Sequence, residues 1–291
     1  MCIRDRRERI DAIAALAGPG ELVRVDSIAA LALDELVPEA QIERDAAWQQ
    51  RLERMRSTLD LVPAVPSTLC AELRPYQIDG FVWMARLAHW GAGACLADDM
   101  GLGKTVQTLA LLLHRAAGGP ALVIAPTSVC ANWAIEAARF APTLRVTRLH
   151  EEDDRADAIA QAGPNDLIIA SYGLLALHDD ELAAREWSTL VLDEAQAIKN
   201  SDTRRAQAAL RINAAMRVAV TGTPVENRLD ELWTLMHLLN PGLLGPRDRF
   251  AARFAVPIER DRDPRAAQRL RRLVRPFLLR RTKSEVLSDL P

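Results

Sequence analysis

The chemistry in this sequence concentrates in one stretch, Asp98-Asp99-Met100-Gly101-Leu102-Gly103-Lys104-Thr105. It follows the apolar run Ala94-Cys95-Leu96 and opens onto Val106-Gln107-Thr108-Leu109-Ala110-Leu111-Leu112-Leu113. Strand, glycine-rich turn and helix in that order let the loop's backbone N–H groups converge on an anion, backed by the positive end of the helix. The backbone of Asp98, Met100, Gly101, Leu102 and Gly103 would cradle phosphates. Lys104 would reach the β- and γ-phosphates, and the Thr105 hydroxyl would hold Mg²⁺. The strict pattern G-x-x-x-x-G-K-[ST] asks for glycine where this chain has Asp98. The bland alternative is a strand-to-helix turn with a chance Lys-Thr.

A second cluster is Asp193-Glu194, placed directly after Leu190-Val191-Leu192. Phosphoryl transfer needs one carboxylate on the metal and one group to orient or deprotonate the attacking water. Asp193 fits the first role through the metal's water shell, and Glu194 the second. The competing reading is a solvated acidic turn. Thr221-Gly222-Thr223-Pro224 likewise ends an apolar run, and its hydroxyls can link the γ-phosphate region to neighbouring elements; by itself it is a plausible turn and helix cap. Pro126-Thr127-Ser128 and Ser171-Tyr172-Gly173 end two further runs. Their hydroxyls and the following helix N-termini can grip backbone phosphates without reading bases, or simply cap helices.

The elements that must position these clusters are short β-branched runs alternating with helical stretches. The runs are Ala121–Ala125, Leu144–Thr147, Leu167–Ala170, Thr189–Leu192 and Arg217–Val220. That alternation predicts an α/β fold with a parallel sheet covered by helices on both faces. Ligands of such a sheet gather at the carboxyl ends of its strands, where every cluster above falls. Before the sheet, Pro75 suits the first turn of a helix carrying Ile78, Phe81, Val82, Met84 and Leu87. Residues 6–17 and 39–60 read as helices, and Leu61–Ser67, with Pro63 and Pro66, as a linker. Met1–Asp5 resembles a non-native, adapter-derived start. The expected divisions are therefore 1–5, a helical region and linker at 6–69, an α/β lobe at 70–240 and a helical, basic segment and linker at 241–291.

Composition removes other classes. A formal charge of -2 over 291 residues means that any nucleic-acid contact must come from local patches. No apolar run approaches the ~20 residues of a membrane helix, and no secretory signal is visible. Cys2, Cys70, Cys95 and Cys130 lack metal-ligand or disulfide spacing, which fits reduced thiols in a cytoplasm. Arginine is used almost throughout, and Lys104, Lys199 and Lys283 are the chain's three lysines. An ammonium is a compact point charge and not a guanidinium fork, so each lysine is a candidate for a specific role. The arginines from Arg260 to Arg281 either meet phosphate or form a solvated helix face.

Taken together, Leu73-Arg74-Pro75-Tyr76-Gln77, Asp98–Thr105, Ala125–Ser128 with Asn132-Trp133, Ser171-Tyr172, Asp193–Asn200, Thr221–Arg228 and Pro276–Lys283 resemble, in order and approximate spacing, the Swi/Snf-type ATPases. The resemblance covers roughly residues 70–291. Position 98 is where that family departs from the strict phosphate loop, and Asp99 stands where glutamate is also common.

The resemblance implies a RecA-like first lobe of a superfamily-two motor that tracks along double-stranded DNA using ATP and Mg²⁺, acting on a protein–DNA complex. Carried over by position, Gln77 would read the adenine edge, and Thr221, Gly222 and Thr223 would couple nucleotide state to DNA grip. Thr127, Ser128, Trp133, Ser171, Tyr172, Lys199 and Asn200 would lie on the DNA side. The second lobe and its arginine finger are expected beyond Pro291, so this chain by itself is expected to hydrolyse ATP poorly. Two other readings stand beside the translocase: a strand-separating or RNA-directed helicase of the same superfamily, and a catalytically silent nucleic-acid-binding module.

Overall fold

A computed structural model of the chain describes residues 57–58, 60–222 and 229–287. The start at residues 1–5, the helices expected over 6–17 and most of 39–60, and Thr223 lie outside them.

Seven parallel strands form the central sheet: β1 (Ala94–Leu96), β2 (Ala121–Ala125), β3 (Arg145–Arg148), β4 (Asp166–Ser171), β6 (Thr189–Asp193), β8 (Arg217–Val220) and β9 (Leu278–Leu279). Their spatial order is β3-β4-β2-β6-β8-β1-β9. β5 (Glu186–Trp187) and β7 (Asn213–Ala214) pair separately. Every residue of β1 and β2 is buried, as are the apolar residues of β4, β6 and β8, so side chains on both faces are covered. Continuous apolar runs without alternation are what such a sheet requires. The edge strand β3 is partly open, and its sequence is correspondingly polar.

The helices that position the site are α1 (Pro75–Trp90), α2 (Lys104–Arg115) and α3 (Thr127–Phe140). Beyond them come α4 (Arg155–Gln161), α5 (Tyr172–Leu177), α6 (Asp179–Ala184), α7 (Arg204–Arg211) and α8 (Leu229–Leu239). Pro75 starts α1, and Gly91 ends it in the left-handed conformation, φ 83°. Two polar residues, Asn240 buried and Arg217 half-buried, lock elements to the sheet. Asn240 exchanges hydrogen bonds with both backbone groups of Gly93, just ahead of β1. The Arg217 guanidinium, at the start of β8, donates to Ala209, Leu210 and Ile212 carbonyls at the end of α7 and to Leu238 in α8. It thereby satisfies carbonyls that a helix end leaves without partners.

Between residues 241 and 287 the chain is largely helical, through α9 (Arg247–Phe250), a π-helical stretch Ala251–Arg260 and α10 (Pro264–Val274). The departure follows. Leu278-Leu279 is not linker but the seventh strand, paired in register with Cys95-Leu96 of β1, and α11 (Lys283–Leu287) comes next. Two residues are too few to show a strand period; what makes them a strand is the open hydrogen-bonding edge of β1.

Candidate nucleotide site

Six polar segments meet at the carboxyl edge of the sheet, one after each of β1, β2, β4, β6, β8 and β9. The loop after β1 turns through Gly101 (φ 86°) and Gly103 (φ 73°), both in the left-handed region that favours glycine. A Cβ on Gly103 would also lie 2.4 Å from Nε2 of Gln77. The loop is held from behind: the Leu102 carbonyl accepts from Tyr76 Oη, Gln77 Nε2 and Gln107 Nε2 at 3.2–3.3 Å. Gln77 also accepts from the Arg74 N–H at 2.9 Å, so both ends of its amide tie α1 to the loop. It lines a cavity of about 530 Å³ with Arg74, Gly103, Asn132, Ile135 and Arg139, beside the loop.

Lys104 opens α2 and folds its ammonium back on the loop, donating to the carbonyls of Asp98 (2.7 Å) and Asp99 (3.1 Å). Burial pushes its pKa down, opposed by the charges of Asp98, Glu194, Asp193 and Asp99. Lys104 and the Asp193-Glu194 pair therefore share one electrostatic environment, although they are 89 positions apart at the nearest.

Asp193 ends β6 and is fixed at three points. Trp133 Nε1 donates to its Oδ2 at 2.7 Å, the Glu194 N–H to its Oδ1 at 2.9 Å, and Tyr172 Oη to its carbonyl at 2.8 Å. Burial pushes the Asp193 carboxyl above the usual range, while the Trp133 and Glu194 N–H groups pull it back. Glu194 sits at φ 47°, a left-handed conformation uncommon for a side-chain-bearing residue, and strain of that kind collects at functional sites. Its carboxylate accepts from Gln196 Nε2 at 2.6 Å, and Gln196 Oε1 accepts from Thr221 Oγ1 at 2.8 Å. Glu194, Gln196 and Thr221 thus form an unbroken chain from the end of β6 to the end of β8. Gly222 follows, close enough that a Cβ there would sit 3.2 Å from Met100 Cγ of the phosphate loop.

The residues expected on the DNA side divide. Trp133 and Tyr172 are 1% and 3% exposed, and both point at Asp193. That placement corrects their expected role: they hold the carboxylate-bearing turn and present no surface to DNA. Ser171 caps α5, accepting from the Leu174 N–H. Thr127 and Ser128 are exposed at the start of α3. Lys199 and Asn200 are exposed beyond Glu194, Lys199 within 3.7 Å of Glu231.

Arg281 was legible only as part of a basic run, and the structure gives it a specific place. Its backbone N–H and Nε both donate to Asp98 Oδ1 at 3.0 Å, and its Nη2 pairs with Asp98 Oδ2. The guanidinium also donates to the Tyr76 carbonyl and to Gln107 Oε1, and lies over the Tyr76 ring. Asp98 itself is 0% exposed. A buried carboxylate needs a paired, hydrogen-bonded cation. The sequence signal was the departure from glycine at position 98, which calls for such a partner.

The family model described as the SNF2-related domain matches residues 76–291, most of the chain and the site from Tyr76 onward. The chain belongs to that family. Among its relatives, YwqA of Bacillus subtilis, named as an ATP-dependent helicase/translocase, is 46% identical over 228 residues, covering 75% of this chain and 25% of that protein. The ISWI chromatin-remodelling complex ATPase CHR11 of Arabidopsis thaliana is 36% identical over 234 residues, 78% of this chain and 22% of CHR11. The solved SWI2/SNF2 ATPase core of Sulfolobus solfataricus in complex with double-stranded DNA superposes with a TM-score of 0.71 at 42% identity, covering 79% of this chain and 49% of that one. The SNF2-related chain thus spans a quarter or less of these two relatives and about half of the solved core.

Proposed function

We propose that this chain is the ATP-binding lobe of a motor that hydrolyses ATP·Mg²⁺ in response to duplex DNA and moves along it without separating the strands. The observation that carries the reading is the shared environment of Lys104 and the Asp193-Glu194 pair at the ends of β1 and β6. On nucleotide binding the Lys104 ammonium exchanges the Asp98 and Asp99 carbonyls for phosphate oxygens. The Thr105 hydroxyl and Asp193 carboxylate are hard oxygen donors suited to Mg²⁺, which keeps several waters and shares substrate phosphates. No cluster of three or more His, Cys, Asp or Glu that could cage a metal occurs among the described residues, in keeping with an ion that arrives with the nucleotide. Glu194 orients or deprotonates the attacking water. Gln77 faces the cavity that would take the adenine.

Thr127, Ser128, Lys199 and Asn200 supply exposed donors for DNA backbone phosphates, with Thr127 and Ser128 at a helix N-terminus. A protein–DNA complex is the proposed target of the motor, a reading supported by the remodelling ATPases among the relatives. A cytoplasmic setting is supported by the free thiols Cys70, Cys95 and Cys130. Among the described residues no helix is long and apolar enough to cross a membrane.

The test is ATP hydrolysis by this chain and by a version extended with the part of the solved Sulfolobus core that it does not span, each with no nucleic acid, linear duplex DNA, single strands or RNA. Slow turnover by this chain and strong duplex stimulation of the extended version are expected. Turnover near ~1–100 s⁻¹ by this chain alone would refute the need for a second lobe. Stimulation by RNA alone, or by nothing, would overturn the choice of DNA.

A further inference from the structure

We infer that Lys283 is a second phosphate-binding cation of the nucleotide site, carried over the loop by the strand that ends the sheet; the inference rests on the nucleotide-site reading above. The chain's pairing does not stop where β9 ends at Leu279. Its backbone continues alongside the phosphate loop, with the Ala97 N–H donating to the Leu279 carbonyl at 2.7 Å and the Asp99 N–H to the Arg281 carbonyl at 3.0 Å. The Arg281–Asp98 pair clamps the middle of this segment. One step on, the Lys283 N–H donates to Asp99 Oδ2 at 3.0 Å, fixing the start of α11 on the same loop. The side chain then lies across Gly101: a Cβ built there would be 3.7 Å from Lys283 Cε and 3.8 Å from its Nζ.

The chain's three lysines now differ. Lys104 is occupied by loop carbonyls, Lys199 faces Glu231, and Lys283 has no ion-pair partner among the described residues. An exposed ammonium beside a left-handed glycine of the phosphate loop is placed for β- and γ-phosphate oxygens, whose charge is greatest in the triphosphate. Its flexible stem reaches an anion as a point charge, without the fixed fork that suits Arg281 to Asp98. The adenine-side cavity is lined by other residues, so Lys283 serves the phosphates and leaves base choice alone.

The test is equilibrium binding of fluorescent ATP and ADP analogues, with Mg²⁺, to the unaltered chain and to the Lys283→Gln, Lys283→Arg and Lys104→Ala variants. Removing one charge-assisted contact predicts roughly tenfold weaker ATP binding by Lys283→Gln. The loss should be smaller for ADP, largely restored in Lys283→Arg, and reduced by added salt. Lys283 is exposed, so the fold should be kept, which an unchanged melting temperature verifies. If Lys283→Gln binds ATP as the unaltered chain does while Lys104→Ala is impaired, the role of Lys283 is refuted and the site stands. If the unaltered chain binds no nucleotide, or Lys104→Ala binds as well as it does, the site reading falls and this inference with it.

Discussion

Trp133 places its indole Nε1 2.7 Å from Oδ2 of Asp193, joining the middle of α3 to the end of β6. Partial burial of the carboxyl disfavours its charge, and this N–H is the first of the groups that restore it. Removing the donor with Trp133→Phe takes away a hydrogen bond that favours the ionised form, so the Asp193 pKa must rise further. A hydrogen bond to a charged group is worth about 1.5–3 kcal/mol, enough for the rise to be read in a pH profile. On the role proposed for Asp193, Mg²⁺-dependent nucleotide affinity requires its ionised form and is lost as pH falls through its pKa. The acid limb of that affinity should therefore move to higher pH in Trp133→Phe, with near-normal binding at the alkaline end. A profile that only drops in height, without shifting, would make Trp133 a packing residue.

The Glu194–Gln196–Thr221 chain has its own consequence. Thr221 is 2% exposed and donates to Gln196, so Thr221→Val keeps the shape and removes the donor. Coupling between nucleotide and DNA is a free energy read as the ratio of duplex affinities with and without ATP·Mg²⁺. That ratio should fall toward one in Thr221→Val, while nucleotide affinity in the absence of DNA changes less than threefold, roughly the value of a single neutral hydrogen bond. Equal losses in both quantities would place Thr221 in nucleotide binding and not in coupling.

How much of this was legible follows from where each signal resides. The phosphate loop and Asp193-Glu194 are local in sequence and stand after apolar runs, so their residues and strand ends could be read directly. The strands β2, β4, β6 and β8 were legible because burial on both faces demands unbroken apolar runs. Direction of a side chain is not carried by a motif, and there the reading of Trp133 and Tyr172 went astray. A signal was present for the first: Cys130, Trp133 and Ala137 fall at i, i+3 and i+7 of α3, and all three are buried. The Arg281–Asp98 pair spans 183 positions, and no sequence pattern specifies which arginine of a basic run turns inward.

That pair makes a prediction about stability. Arg281→Met would leave Asp98 buried without its cation, a class of change that costs about 3–5 kcal/mol. The double variant Asp98→Asn/Arg281→Met removes both charges and should recover a large part of that loss. Urea unfolding of the four proteins gives the coupling as a double-mutant cycle. Additive losses would mean that the two side chains do not depend on each other, against the geometry seen at the loop.

Gly103 offers the sharpest test of the loop itself. Its φ of 73° penalises any Cβ, and the added atom would meet Gln77 Nε2 at 2.4 Å, so Gly103→Ala must displace either the loop or the glutamine. Because Gln77, Tyr76 and Gln107 all hold the Leu102 carbonyl, movement of Gln77 loosens the same backbone that would bind phosphate. Strained backbone of this kind costs about 1–3 kcal/mol, which predicts loss of nucleotide affinity by one to two orders of magnitude, with a melting temperature lowered by only a few degrees. Gly118 is the control, since a Cβ there meets nothing within 4 Å. Gly118→Ala should bind nucleotide as the unaltered chain does. Normal ATP binding by Gly103→Ala would show that the loop changes shape before it takes phosphate.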